Sequence, residues 1–143
     1  MGQAREAMDR LTEAMTKSKD VKSIADCFAE DAVATTPEGS FRGRDAIAEY
    51  MVEFAVAVPD GEFEYEHEYE VGDTAIDEGW FHGTNTGPLK LPDGEMLPAT
   101  GKPVRIHGCD AGTVEDGRIV DYRLYFDQLA FLDQLGLAPA TAG

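Results

Sequence analysis

Residues 62–71 read EFEYEHEYEV, with glutamate at every even position and Phe63, Tyr65, His67, Tyr69 and Val71 at the odd ones. An extended chain sends successive side chains to opposite faces. One strand here carries a charged face and an aromatic face whose residues mostly end in a polar tip. A dry core would prefer Val, Ile and Leu. Imidazole and carboxylate exchange protons near neutral pH, while phenol and indole donate hydrogen bonds. The remaining histidines, His82 and His107, lie in strand-like runs, and Asp127 stands at the head of the last apolar repeat, FDQLAFLDQLGL. The chemistry this set can do is general acid–base work on a ligand held in an apolar pocket.

Other chemistries lack their signatures. The three histidines have no HExxH or related spacing, so no metal is expected. There is no P-loop, no GxGxxG and no GxSxG elbow, so the expectation is a site without cofactor. Cys27 and Cys109 form no CxxC and read as reduced core thiols. The net charge of −16 argues against nucleic acid and against an anionic membrane surface. The expected partner is a small hydrophobic molecule. No apolar run approaches the ~20 residues of a membrane span, and no signal-peptide pattern opens the chain. A cytoplasmic location is expected. The 143 residues fit one domain, 1–143.

The elements that must position these side chains follow from periodicity. Ala4, Met8, Leu11 and Met15 predict a helix over 4–17. Asp20 is placed to cap a second, ending near Ala29. AVATT reads as a strand, and Asp45 is placed to cap a helix over 46–58 that Pro59-Asp60-Gly61 ends. Beyond it come the 62–71 strand, a Gly72-Asp73 turn, TAIDEGWFHGTNTG as a strand, a loop over 88–101, KPVRIHGCDAGTV as a strand, an Asp116-Gly117 turn, RIVDYRLYF and a closing helix. The layout is α+β, with helices on one face of a curved antiparallel sheet.

A two-residue turn at Gly72-Asp73 sets Tyr69 against Ile76, His67 against Glu78, Tyr65 against Trp80 and Phe63 against His82. Opposed residues share a face. One face would then gather Tyr65, His67, Tyr69, Glu78, Trp80 and His82, too polar for a core and suited to a cleft. The glutamates, Asp77 and Phe81 would lie outside. The Asp116-Gly117 turn sets Ala111 against Tyr122, Cys109 against Leu124, His107 against Phe126, and Asp110 against Arg123 as an ion pair.

GTNTGPL (83–89), PATGKPV (98–104), EDGRIVDY (115–122) and FDQLAFLDQLGL (126–137) together resemble the SnoaL-like polyketide cyclases, or ester cyclases, within the NTF2-like and ketosteroid-isomerase-like group. The resemblance runs from about residue 8 to 137. It implies a cone-shaped barrel around one deep pocket, and cofactor-free aldol closure of a hydrophobic polyketide ester, or an isomerase-type proton transfer. It implies an Asp before the last helix as the base, a position Asp127 matches. The enolate oxygen then needs a donor, and the candidates in this chain are His107, His82, Tyr65 and Trp80. Tyr65, His67, Tyr69, Glu78, Trp80, Asn85 and Phe126 are the expected substrate-binding residues. Asn85 stands where many relatives carry histidine. A homodimer is also implied, with Phe81 on the associating face. Two alternatives stay open: a binding protein of the same fold without turnover, and a hydrolase like the limonene-epoxide hydrolases. The latter expects an Arg-x-Asp pair where this chain has Trp80-Phe81-His82.

Overall fold

The structure is a computed structural model that describes residues 2–91 and 93–137. Helix α1 (Gln3–Glu13) turns its buried stripe of Ala4, Ala7, Met8 and Leu11 to the sheet and ends in a single π turn, Ala14–Ser18. Helix α2 (Val21–Ala25) is capped by Asp20, which accepts from the Ser23 amide at 2.8 Å. It stops short of the expected Ala29, because Phe28 already belongs to β1 (Phe28–Thr36). Strand β2 (Gly39–Arg42) leads to α3 (Arg44–Ala57), whose N-cap is Gly43; Asp45 sits in the first turn, where a negative charge complements the helix dipole.

Strands β3 (Glu62–Val71) and β4 (Thr74–Thr84) form the first long hairpin. The segment expected to be loop contains a short hairpin of its own, β5 (Leu89–Lys90) with β6 (Met96–Leu97). Strands β7 (Pro103–Glu115) and β8 (Arg118–Phe126) precede α4 (Gln128–Gln134).

The six long strands make one sheet in the order β2-β1-β8-β7-β4-β3, antiparallel throughout except for β1 beside β8. The helices cover one face, in the α+β arrangement the sequence predicts. A large core lies between α1, α2, α3 and the sheet, and a smaller one joins the end of α3, β7 and α4. Helix α1 sits so close to the sheet that a Cβ on Gly112 would come within 2.5 Å of Met8 Sδ. Among the described residues no helix is long and apolar enough to cross a membrane.

Candidate active site

Two irregularities in strand pairing decide which residues face the helices. In β3, Val71, Tyr69 and His67 pair with Thr74, Ile76 and Glu78 as the turn dictates, but Tyr65 pairs with Gly79 and Phe63 with Phe81. Glu66 is an extra residue, a bulge, and the strand exchanges faces there. Gly79 makes room for it: a Cβ on Gly79 would lie 2.1 Å from the Glu64 carbonyl oxygen and 2.8 Å from Tyr65 Cα. In the second hairpin Val114 pairs with Ile119 but Thr113 with Asp121, so Val120 is extra and the pairings toward β8's end move by one. Asp110 therefore opposes Leu124, not Arg123, and Gly112 opposes Tyr122. Arg123 instead pairs with Asp121.

The exchange divides the EFEYEHEYEV stretch. Phe63 and Tyr65 look into the space under the helices. Beyond the bulge, Glu68 and Glu70 turn toward α1: Glu70 accepts from the Gly2 and Arg5 amides, each at 2.9 Å, and Glu68 lies 3.6 Å from Arg5 Nε. His67 and Tyr69 lie on the outer face.

The sheet and helices enclose a cavity of about 750 Å³, its open mouth included. Its walls are aromatic and aliphatic: Phe54, Phe63, Phe81, Phe126 and Phe131, with Met15, Met51 and Leu124. The polar groups are Tyr65, Asp77, Asp110 and Tyr122, from four adjacent strands, with Tyr50 from α3. Asp77 and Asp110 face each other across β4 and β7.

Their surroundings differ. Asp77 is 1 % exposed. Its Oδ2 accepts from Arg5 Nη2 at 2.9 Å, and its Oδ1 lies 2.7 Å from the same nitrogen without hydrogen-bond alignment. Burial raises the Asp77 carboxyl to about 6 against the pull of Arg5. On Arg5, burial works against the charge, but Asp77, Asp9 and Glu68 outweigh it and the guanidinium is held charged. Asp110 has no cation in ion-pair contact, and Arg5 pulls on it only from its place on Asp77. Its Oδ2 accepts from the Tyr122 hydroxyl at 2.6 Å, and its enclosed Oδ1 has no hydrogen-bond partner. Burial raises this carboxyl to about 7; the Tyr122 bond pulls the other way and the neighbouring Asp77 adds to the rise. Burial also pushes the phenols of Tyr65 and Tyr122 up, so both stay protonated. The Tyr65 hydroxyl is 2.9 Å from Thr12 Oγ1, which also reaches the Met8 carbonyl at 3.2 Å.

The structure brings together only part of the residue set expected from sequence. Tyr65, Trp80 and Phe126 border the cavity. The Trp80 ring follows the outer register, stacked on His107 at 4.4 Å and with the Arg105 guanidinium over it at 4.2 Å. His107, His82 and His67 lie outside the lining, near Glu66 (3.5 Å), Glu64 (3.9 Å) and Glu78 (4.0 Å). Glu78 and Tyr69 share that outer face, and Tyr69 is exposed. Asp127 is exposed and caps α4, its Oδ1 accepting from the Ala130 amide at 2.9 Å. Asn85 is 0 % exposed, and its amide is fully used: Nδ2 donates to the Ala57 and Gly87 carbonyls, and Oδ1 accepts from the Thr100 amide and hydroxyl. It ties the end of β4 to α3 and the 98–102 loop, so no valence is left for a ligand. Phe81, expected on an associating outer face, lines the cavity beside Phe63 at 5.0 Å.

Sequence reasoning missed Arg5, Asp77, Asp110 and Tyr122. The available signal was Gly79, since a glycine inside a strand marks a bulge or a close backbone approach. Among the described residues no three of His, Cys, Asp or Glu converge as a metal site.

The SnoaL-like domain family matches residues 8–122. Several solved structures share the fold. A candidate SnoaL-like polyketide cyclase from a Jannaschia species superposes with a TM-score of 0.80 at 18% identity, covering 96% of this chain and 94% of that one. IdmH, a candidate polyketide cyclase from Streptomyces antibioticus, gives 0.74 at 24% identity over 94% and 99% of the two chains. A hypothetical protein with a ketosteroid isomerase-like fold from Catenulispora acidiphila, solved with trimethylamine, gives 0.73 at 17% identity over 96% and 97%. Curated proteins yield no sequence match.

Proposed function

Because the chain belongs to the SnoaL-like domain family, we propose that it is a cofactor-free acid–base enzyme that removes a proton alpha to a carbonyl of a hydrophobic, polyketide-like ester. Asp110 is the base in this reading. The observation that carries it is the Asp110 Oδ1 atom, enclosed in the wall of an apolar cavity without a hydrogen-bond partner. A base works best with a pKa near the operating pH, and this carboxyl lies at about 7.

The steps use groups already in place. Tyr122 holds Oδ2, and Oδ1, enclosed in the resting structure, accepts the proton once the carboxyl turns it toward the substrate C–H bond. The charge developing on the carbonyl oxygen requires a donor, and the Tyr65 hydroxyl is in the cavity once it leaves Thr12. The enolate carbon then attacks a second carbonyl of the same molecule, forming the C–C bond, and the new alkoxide takes up the proton. Arg5 fixes Asp77 as the ionised neighbour, and that charge keeps Asp110 ready to hold a proton.

On an enolisable hydrophobic ester, Asp110→Asn should lower kcat by roughly 10²-fold or more, the usual contribution of a general base. The wild-type kcat/KM should rise with pH through about 7 as Asp110 ionises. Full activity in the Asn variant removes Asp110 from the base role. A second reading, a binding protein without turnover, is favoured by one feature: both cavity tyrosines nearest the carboxyls are already hydrogen bonded, to Thr12 and to Asp110. Tight binding of neutral hydrophobic ligands with no turnover of any enolisable ester would decide for it.

A further inference from the structure

We propose that the cavity is also a binding site for hydrophobic monoamines in their protonated form, with the ammonium on Asp110. The argument starts from charge. Around Asp110 of β7 stand Tyr65 of β3, Asp77 of β4, Tyr122 of β8, Arg5 of α1 and its chain neighbour Cys109. Arg5 is the single cation of that set; its Nη2 is committed to Asp77, 2.7 Å from one oxygen and 2.9 Å from the other, and its enclosed Nη1 has no hydrogen-bond partner. Among the described lining residues there is no Lys, Arg or His. Ionised Asp110 is thus a half-buried negative charge with no cation in ion-pair contact; Arg5 acts on it only from its place on Asp77. Its charge must be balanced by a proton or by one positive charge brought in by a ligand.

Two enclosed carboxylate oxygens beside the cavity lack a hydrogen-bond partner, although one of them, Asp77 Oδ1, is in ion-pair contact with Arg5. Asp110 Oδ1 has no partner, and Asp77 Oδ1, in a residue 1 % exposed that also lines the cavity, has none in hydrogen-bond geometry. They belong to opposed residues of neighbouring strands, and an –NH₃⁺ group brings three donors to that side of the cavity. The rest of the cavity suits the remainder of such a molecule. Phe63, Tyr65 and Tyr122 present π faces that attract a cation, and Phe54, Phe126 and Phe131 present apolar surface. The same geometry disfavours carboxylate ligands, since Asp77 and Asp110 repel them and the described lining holds no Lys, Arg or His to pair with them. Binding is proton-linked: the ammonium replaces the proton on Asp110, so affinity rises as that carboxyl ionises. None of this requires turnover, and the inference stands whether or not an ester is a substrate.

The test compares naphthylmethylamine, naphthylmethanol and naphthoate, which share one ring system, by calorimetry or NMR titration of the full chain. At about pH 8 the amine should bind at least ~10-fold more tightly than the alcohol, the scale of one charge-assisted hydrogen bond, and naphthoate should not bind. In Asp110→Asn the amine should fall to the alcohol's affinity while the alcohol keeps its own. In the wild type at about pH 5.5, with Asp110 protonated, the same preference should shrink, a check that needs no variant. An alcohol that binds as well as the amine, a preference that survives Asp110→Asn, or binding of naphthoate equal to the amine would overturn the proposal.

Discussion

Asp127 and Asp110 are both carboxylates near the end of the sheet, yet their chemistry is set by what each touches. Asp127 is exposed and gives its Oδ1 to the Ala130 amide, satisfying one of the free N–H groups at the start of α4. Asn caps about as well as Asp. Asp127→Asn should therefore leave both melting temperature and turnover near wild type, while Asp127→Ala should cost about 1 kcal/mol in urea unfolding. A large loss of activity in the Asn variant, with unfolding unchanged, would return the base role to Asp127. Its capping position was legible in sequence, since it heads an apolar helical repeat. Its distance from the cavity was not, because alternation along a strand says nothing about where the chain leaves the sheet. Asn85 shows the same limit: a polar residue in a motif reads as a ligand contact, but four internal hydrogen bonds make it a joint of the fold.

At the scale of elements, β1, the four long strands β3, β4, β7 and β8 and their two hairpin turns were written in the periodicity; β2, the β5–β6 hairpin, the parallel pairing of β1 with β8 and the faces were not. Period-two alternation assigns a face only while the register holds, and one extra residue inverts every side chain beyond it. The bulge at Glu66 did this to β3, sending Tyr65 inward and His67 outward; the extra Val120 did it to β8, placing Tyr122 and Leu124 on the face of Asp110. Unbroken alternation puts Asp77 outside and pairs Asp110 with Arg123, so neither carboxyl reads as a site residue. Gly79 is the residue on which the first bulge depends, because backbone atoms of Glu64 and Tyr65 occupy the space a Cβ needs. Gly79→Ala should destabilise the protein by about 1–3 kcal/mol, as overpacking does. It should also displace Tyr65, so ligand affinity should fall beyond what lost stability explains. Urea unfolding and titration of a cavity ligand measure the two effects separately. Unchanged stability would mean that the strand accommodates the methyl and that the bulge does not need glycine.

For the molecule as a whole, the buried carboxyls couple the site to stability. Asp110 is raised to about 7 and Asp77 to about 6, both above the ordinary carboxylate value near 4. A carboxyl raised by folding binds its proton more tightly in the folded state than in the unfolded one. Between about pH 4 and pH 7 the folded protein therefore holds more protons, and stability falls as pH rises through that window, by up to about 1.4 kcal/mol per pH unit for each such group. Above pH 7 this contribution is constant. The net charge of −16 works in the same direction, since ionising more carboxylates adds repulsion. The urea midpoint should accordingly be higher at about pH 5.5 than at about pH 8. Asp110→Asn keeps the shape and can still accept from Tyr122, but it removes the ionisation. Its midpoint should be higher than wild type at pH 8, and its dependence on pH between 5.5 and 8 shallower. Such a variant, more stable and less active, is what a carboxylate held in the wrong solvent for the sake of its chemistry predicts. A wild-type midpoint that rises from pH 5.5 to pH 8 would mean that Asp110 is already ionised in the folded protein at low pH, and neither the base nor the ammonium site could then titrate near 7.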